Sequence, residues 1–376
     1  MNRDFDTGAP FWVVGFMSGT SLDAVDAAMI KTDGVTISEF GPTSERRYLP
    51  SERGLLQAAI QAARDWNWQG PEPDAPFRAA EAVLTICHAE AYRDLLQNWS
   101  GPLPALAGVH GQTVLHRAPT AERRGATRQS LDAGSVAVQL GLPLVSDLRS
   151  ADVAAGGQGA PLAPAYHSAL LNRLGDRDAV VLNLGGVANI TARGREGSLI
   201  AFDTGPANGP VDEWVEAHTG AGYDQDGKLA SVGRVNEGLL AQILDHPFFD
   251  APPPKSLDRF DFNANLVRGL TLEDGAATLT ELCVRAVSRG LEHLPKRPSR
   301  LIACGGGRRN PALMARLKQA VGCDVVAAET LGWRGDSVEA EAFALLAARS
   351  VRNLPISWPQ TTGVTEPLTG GVLTTP

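Results

Sequence analysis

An α/β protein of two lobes is what the sequence predicts, and three observations carry that expectation. Segments of strand pattern alternate with segments of helical period along the chain. Two strand, glycine-turn, strand units, one at Gly19 and one at Gly185-Gly186, stand about half a chain apart and suggest duplicated lobes facing one another across a cleft. The 376 residues, 43% of them hydrophobic, exceed the roughly 100 to 200 residues of a usual domain and suffice for two buried cores. The expected division is an N-terminal lobe of 1–148 plus about 349–376 and a C-terminal lobe of 149–348.

The apolar run 11–16 leads into Met17-Ser18-Gly19-Thr20-Ser21-Leu22-Asp23, and β-prone segments at 24–30 and 35–40 follow, so the chain opens as a hairpin or meander. Helical patterns cover 52–65, with Ser51 as candidate N-cap, and 75–99. A buried strand at 103–109 ends in His110-Gly111-Gln112-Thr113. The Arg-rich stretch 116–128 lacks periodicity and reads as an exposed loop. Residues 149–162 are too small and glycine-rich for a helix interior yet carry polar groups throughout, which fits a substrate-lining loop or a hinge, with Arg149 as its substrate-binding candidate. In the second half the opening pattern recurs as strands 179–184, 188–193 and 198–203 around Gly185-Gly186. Helices are expected at 208–218, 236–245, 272–294, 311–321 and 337–351, with strands at 300–304 and 324–327 and a proline loop at 252–254.

The balance of 42 acidic against 34 basic residues, a net charge of -8, disfavours attraction to nucleic acid or anionic lipid. No apolar stretch of about 18 residues offers a membrane span, and the first ten residues carry acids and no apolar signal core, so a cytoplasmic protein is expected. Cys87, Cys283, Cys304 and Cys323 form no CxxC pair and read as buried, reduced thiols.

Lys228 follows Gly227 but precedes Leu229, so there is no Walker phosphate loop, and no full GxGxxG, HExxH or GxSxG occurs. Gly305-Gly306-Gly307 follows a strand and opens a helix, as a tight turn or as a phosphate-binding one. Three glycine turns, at Gly19, at Gly185-Gly186 and at Gly305 to Gly307, can bring backbone amides close to phosphate oxygens and so surround a triphosphate without a Walker lysine. Thr20 and Ser21 add hydroxyl donors; Asp23 either orients hydrated Mg²⁺ or caps turn amides. Asp203 ends a strand and is either a general base or the N-cap of the helix that follows. His110, beside Gln112 and Thr113, is either a core histidine or a sugar-hydroxyl contact.

The runs MSGTSLDAVD, HGQT, ADVAAGGQGAPLAPAYH, NLGGVANIT, FDTGPAN and ACGGGRRN, in this order from Met17 to Asn310, resemble the anhydro-N-acetylmuramic acid kinase family. The resemblance implies the two-lobed, ribonuclease H-like duplicated fold of sugar kinases, Hsp70 and actin, with ATP in the cleft between lobes. It implies that Gly19, Thr20, Ser21, Leu22, Asp23, Ala24, Val25 and Asp26 form the first phosphate-binding turn. Gly185, Gly186 and, in the same run, Asn189 form the second, and Gly305, Gly306 and Gly307 lie near the adenosine. Asp203 matches the catalytic base, Asp23 meets Mg²⁺ through water, and His110, Thr113 and Glu339 match positions that contact the sugar or complete the closed site. The chain departs from the family at Ala24, Ala151, Thr204 and Ala207 and is a few residues short over 132–147, departures expected to bear on the sugar pocket more than on phosphate chemistry.

The implied activity is ATP-dependent hydrolytic opening of 1,6-anhydro-N-acetylmuramic acid with phosphorylation of O6, giving N-acetylmuramic acid 6-phosphate in cell-wall recycling. The partner is then a small anhydro amino sugar, with a homodimer allowed. Alternatives are a kinase of another anhydro sugar such as levoglucosan, an acyl-phosphate kinase, and a noncatalytic ATP or sugar sensor.

Overall fold

The structure, a computed structural model, describes residues 5, 8–19, 21–120, 122–194, 198–257 and 261–376. Its strands are β1 (Phe11–Ser18), β2 (Ala24–Thr32), β3 (Ile37–Arg47), β4 (Leu106–Val109), β5 (Gln112–Arg117), β6 (Ala126–Ser130), β7 (Leu144–Ser146), β8 (Ala179–Leu184), β9 (Val187–Arg193), β10 (Leu199–Pro206), β11 (Arg300–Cys304), β12 (Asp324–Ala327) and β13 (Val372–Thr374). The chain forms two compact units, Met1–Arg173 with Glu339–Pro376, and Leu174–Val338.

In the first unit the main sheet runs β13-β7-β4-β1-β2-β3. Its first three strands form an antiparallel meander, and β4 and β7 lie parallel on the far side of β1. β1 is a central strand covered on both faces, which explains its unbroken apolar run from Trp12 to Phe16. On one face the helices Pro50–Trp66 and Asp74–Leu96 bury Leu56, Ala59, Phe77 and Leu84 against Val14, Phe16 and Met29. On the other, Gly15 and Gly108 stand opposite one another on β1 and β4. A Cβ at Gly15 would strike the carbonyl of Ala340, and one at Gly108 the carbonyl of Phe343. The pair of glycines is therefore what seats the backbone of the helix Val338–Val351 directly on the sheet.

In the second unit the sheet runs β10-β9-β8-β11-β12: again an antiparallel meander, again two parallel strands beyond its first. The duplication expected from the two glycine hairpins is present as a duplicated sheet topology. Helices Leu272–Glu292 and Pro311–Ala320 cover this sheet with Val284, Val287, Leu313 and Leu317. A further cluster, built on Trp214, Leu240, Phe249 and Phe262, packs the helices inserted after β10.

Several sequence expectations are corrected. The units divide at 173/174 and 338/339 rather than at 148/149 and 348/349. Residues beyond 148 are tied into the first unit by Asp152, which accepts a bond from Thr362 Oγ1 at 2.5 Å, and by Arg173, which donates to the Ile37 carbonyl at 2.9 Å. The first helix begins at Pro50, with Leu49 and not Ser51 in the N-cap position; Glu52 Oε2 accepts from the Leu49 amide at 2.7 Å. The Arg-rich stretch is the loop expected over 118–120 and 122–125, but its ends, His116-Arg117 and 126–128, belong to the hairpin of β5 and β6, and Arg128 is drawn onto Glu72 at 2.6 Å. Within 149–162, Ser150–Ala154 forms a short helix. No helix among the described residues is long and apolar enough to cross a membrane.

Candidate active site

Asp203 lies within β10, four positions before the N-cap residue Ala207, and the helix Asn208–Thr219 starts with no side-chain cap. The N-cap alternative for Asp203 therefore falls. Its register partner on β9 is Asn189, whose partner on β8 is Asn183, whose partner on β11 is Cys304. Directly paired residues share a face, so a polar row runs across four strands at the end of the sheet. Asp203 is only 7% exposed, yet its Oδ2 accepts the Leu257 amide at 2.8 Å and its own amide donates to the Lys255 carbonyl at 2.9 Å.

The two glycine turns of this unit close the row. Gly305, at φ +74°, has no room for a side chain beside Asn183 Oδ1, whereas around Gly306 nothing lies within 4 Å of a built Cβ. A Cβ at Gly307 would come within 2.7 Å of Leu184 Cβ, too close for any side chain. The carbonyls of Gly185 and Gly186 accept the amides of Ala207, Asn208 and Gly209 at 3.0 to 3.1 Å, and Asn208 Nδ2 donates to the Leu184 carbonyl at 2.9 Å. Asn208, the last residue of FDTGPAN, thus staples the second turn to the segment after β10. The Gly305 to Gly307 turn does not itself open the next helix: it forms a 3₁₀ turn, and Asn310 Oδ1 caps Pro311–Ala320 by accepting the Ala312 and Leu313 amides at 3.1 Å. The turn is locked by Arg308, which donates to the Gly305 carbonyl and to Asp336 at 2.9 Å and to Glu329 at 2.8 Å. Burial works against this guanidinium's charge, but Asp336 and Glu329 outweigh it and raise its pKa.

Lys255 is a second group the sequence did not reveal. It is buried, and its Nζ donates to the carbonyls of Phe248 at 2.8 Å and Phe249 at 3.1 Å. Burial pulls its pKa down to about 8, against the opposing pull of Asp250. Two of the family departures turn away from the row. Thr204 bonds the Ala188 carbonyl at 3.2 Å and its methyl faces Gly290, and Ala207 belongs to the apolar core.

In the first unit Ser18 pairs with Val25, leaving a six-residue turn. Leu22 sits at φ 56° with its side chain buried and its amide on the Gly19 carbonyl at 3.2 Å. A Cβ on Gly19 would meet only Ser21 Oγ, at 3.5 Å. Ser21 and Asp23 are exposed, and Asp23 caps no amide among the described residues; Thr20 lies outside them. Ala24 and Val25 bury their side chains in β2, and Asp26 is half-buried opposite Met17 and Glu45. No group of three or more His, Cys, Asp or Glu among the described residues is placed to hold a metal ion. A lone exposed Asp23 fits the water-mediated role expected of it, because Mg²⁺ keeps most of its hydration shell.

The same unit brings His110 and Arg149 together. Arg149 Nε donates to His110 Nε2 at 2.9 Å and its Nη1 donates to the Gly159 carbonyl at 2.6 Å. The Gly159 amide in turn donates to the buried Asp152 at 2.7 Å. Burial, with the Arg149 charge added, holds His110 well below the usual imidazole range, so the ring is neutral, accepts at Nε2 and carries its proton on Nδ1. Gln112 accepts from Ser18 Oγ at 2.6 Å, and half-buried Thr113 accepts from Gln129 at 3.3 Å. Glu339 is exposed in the first turn of Val338–Val351, whereas Glu341, which the sequence did not single out, is buried and takes the Tyr166 hydroxyl.

The comparisons cover both units. The family model described as anhydro-N-acetylmuramic acid kinase matches residues 11–376. A protein named anhydro-N-acetylmuramic acid kinase from Rhizobium rhizogenes is 50% identical over 368 residues, 97% of this chain and 99% of that one. Proteins of the same name from Caulobacter vibrioides and Mesorhizobium japonicum are 51% and 49% identical over 96% and 97% of this chain and 97% and 99% of theirs. With a model spanning both units, and relatives matching them nearly end to end, the chain belongs to the anhydro-N-acetylmuramic acid kinase family.

Proposed function

We propose that the protein is an ATP-dependent kinase that opens 1,6-anhydro-N-acetylmuramic acid by hydrolysis and phosphorylates O6, giving N-acetylmuramic acid 6-phosphate in the cytoplasm. The observation that carries the reading is Asp203, a buried carboxylate held by the Leu257 amide in a row that ends at two glycine turns, in a chain of this family.

In a 1,6-anhydro sugar O6 is tied to the anomeric carbon, so phosphorylating O6 requires the bicyclic acetal to open. Asp203 takes a proton from water as that water attacks C1; the C1–O6 bond breaks, and O6 attacks the γ-phosphorus as ADP leaves. No separate acid is needed, since O6 departs as a phosphate ester. The Gly185-Gly186 and Gly305 to Gly307 turns of the second unit hold phosphate through backbone amides, and the Gly19 turn of the first unit is a phosphate-binding candidate of the same kind. Asp23 would hold Mg²⁺ through water, and the ion supplies neutralisation of phosphate charge when bound. His110, neutral and held at Nε2 by Arg149, is one sugar-side candidate. Thr113 and Glu339 are the remaining sugar-side candidates.

Turnover in H₂¹⁸O, read promptly with an exchange control, tests the coupling. Label is expected at the anomeric oxygen and none in the transferred phosphate; label in the phosphate overturns the reading. An ADP-release panel that includes levoglucosan tests the sugar, and faster turnover of levoglucosan would reassign the substrate.

A further inference from the structure

Lys255 has no place in the chemistry just described, yet its position is costly for an amine. Its charged head is inside the protein, 4.7 Å from the centre of the Phe248 ring and 5.9 Å from that of Phe202, the neighbour of Asp203. A methionine would fill the same volume without the expense of desolvating a cation. What the amine adds is two hydrogen bonds, to the carbonyls of Phe248 and Phe249. The segment it anchors follows Pro252-Pro253-Pro254, three residues with no amide proton to fix the backbone themselves. From that segment two backbone bonds reach Asp203: the Lys255 carbonyl accepts the Asp203 amide at 2.9 Å, and the Leu257 amide donates to Oδ2 at 2.8 Å.

We propose that Lys255 is a positioning residue whose ammonium anchors segment 255–257 so that the Leu257 amide fixes the orientation of the Asp203 carboxylate. The inference rests on the reading of Asp203 as the base. The lysine acts through Leu257. An amide bonded to Oδ2 holds the plane of the carboxylate and favours its charged form, the form that accepts a proton from water.

The test is a double-variant cycle on Lys255→Met and Leu257→Pro, the second deleting the amide that the lysine is proposed to aim. Each single variant should lower kcat by about 10²-fold, the scale of a misplaced catalytic group, with KM for ATP and for the anhydro sugar unchanged. The double variant should be no slower than the worse single one, because both act through one bond. Multiplicative losses, a rise in KM at unchanged kcat, or wild-type kcat in Lys255→Met overturns the proposal. Should Lys255→Met fail to fold, Leu257→Pro decides alone: lost kcat at constant KM supports the proposal and wild-type kcat overturns it. Asp203→Asn is assayed beside them. Near wild-type turnover there overturns the base itself, whereas an inactive Asp203→Asn with a fully active Lys255→Met overturns only the lysine's role.

Discussion

The two units hold the same sheet topology and treat corresponding positions in opposite ways. In the second unit the second pair from the turn is Asn183 with Asn189, and the row continues to Asp203; in the first unit the second pair from the turn is Met17 with Asp26, and the row continues to Glu45. Both rows thus end on a carboxylate of the third strand. Glu45 is exposed and pairs with Arg47 at 2.5 Å, a surface ion pair of small energetic weight. Asp203 is buried and held by a backbone amide. The turns differ as well: three residues in the second unit, with its glycine carbonyls bonded by Ala207 to Gly209, and six in the first, with Leu22 at positive φ. The buried histidines His88, His110 and His167 all belong to the first unit. A duplicated backbone, then, supplies equivalent places, and the local surroundings decide which of two equivalent carboxylates can serve as a base.

The largest expected break in this comparison is at the two carboxylates. Asp203→Asn should preserve the fold and cost at least about 10²-fold in kcat by ADP release, while Glu45→Gln should leave kcat where it is. Equal effects would show that the two positions are not distinguished by their surroundings.

The histidines give the next effect. Burial pulls His88 down to about 4 and His167 to about 3. Between pH 6.5 and those values the unfolded chain binds protons that the folded chain does not, so stability rises with pH there and is lost as the solution is acidified below 6.5. For His88 alone the loss at pH 5 is about 2 kcal/mol. Urea unfolding at pH 7 and pH 5 should show it, and His88→Leu should shrink the difference; an unchanged difference would remove His88 from the acid sensitivity of the first unit.

The smallest effect is at the turns. Gly306→Val has space for its side chain, so circular dichroism should be unchanged while KM for ATP rises on the order of tenfold, the equivalent of one charge-assisted bond. Gly19→Val should behave alike. Unchanged ATP kinetics in both would remove the turns from phosphate binding.

Much of this arrangement was legible in the sequence because it is local. Strand period, glycine turns and the helical stretches all announce themselves within a dozen residues, and Asp203 stood out at the end of a strand before a glycine-rich run. What was not legible depends on distant partners. Arg149 meets His110 across 39 positions, and Leu257 meets Asp203 across 54, and nothing in either stretch encodes the other. Nothing near Lys255 or Arg308 in the chain marks either as buried, because only the folded core places them there. The strands flanking the Arg-rich loop are not legible because β5 and β6 are short and a bulge at Thr113 to Leu115 breaks the two-residue alternation on which strand reading depends.

The glycine pair at Gly15 and Gly108 also dictates an order of events at the ribosome. The helix that covers them begins at Val338, after every strand of the second unit has been made. During synthesis the strands β1 to β7 are therefore all made before the helix that seats on Gly15 and Gly108 exists. A chain shortened to end before Val338 would keep every strand of the second unit and leave the first unit without the helix its two glycines receive.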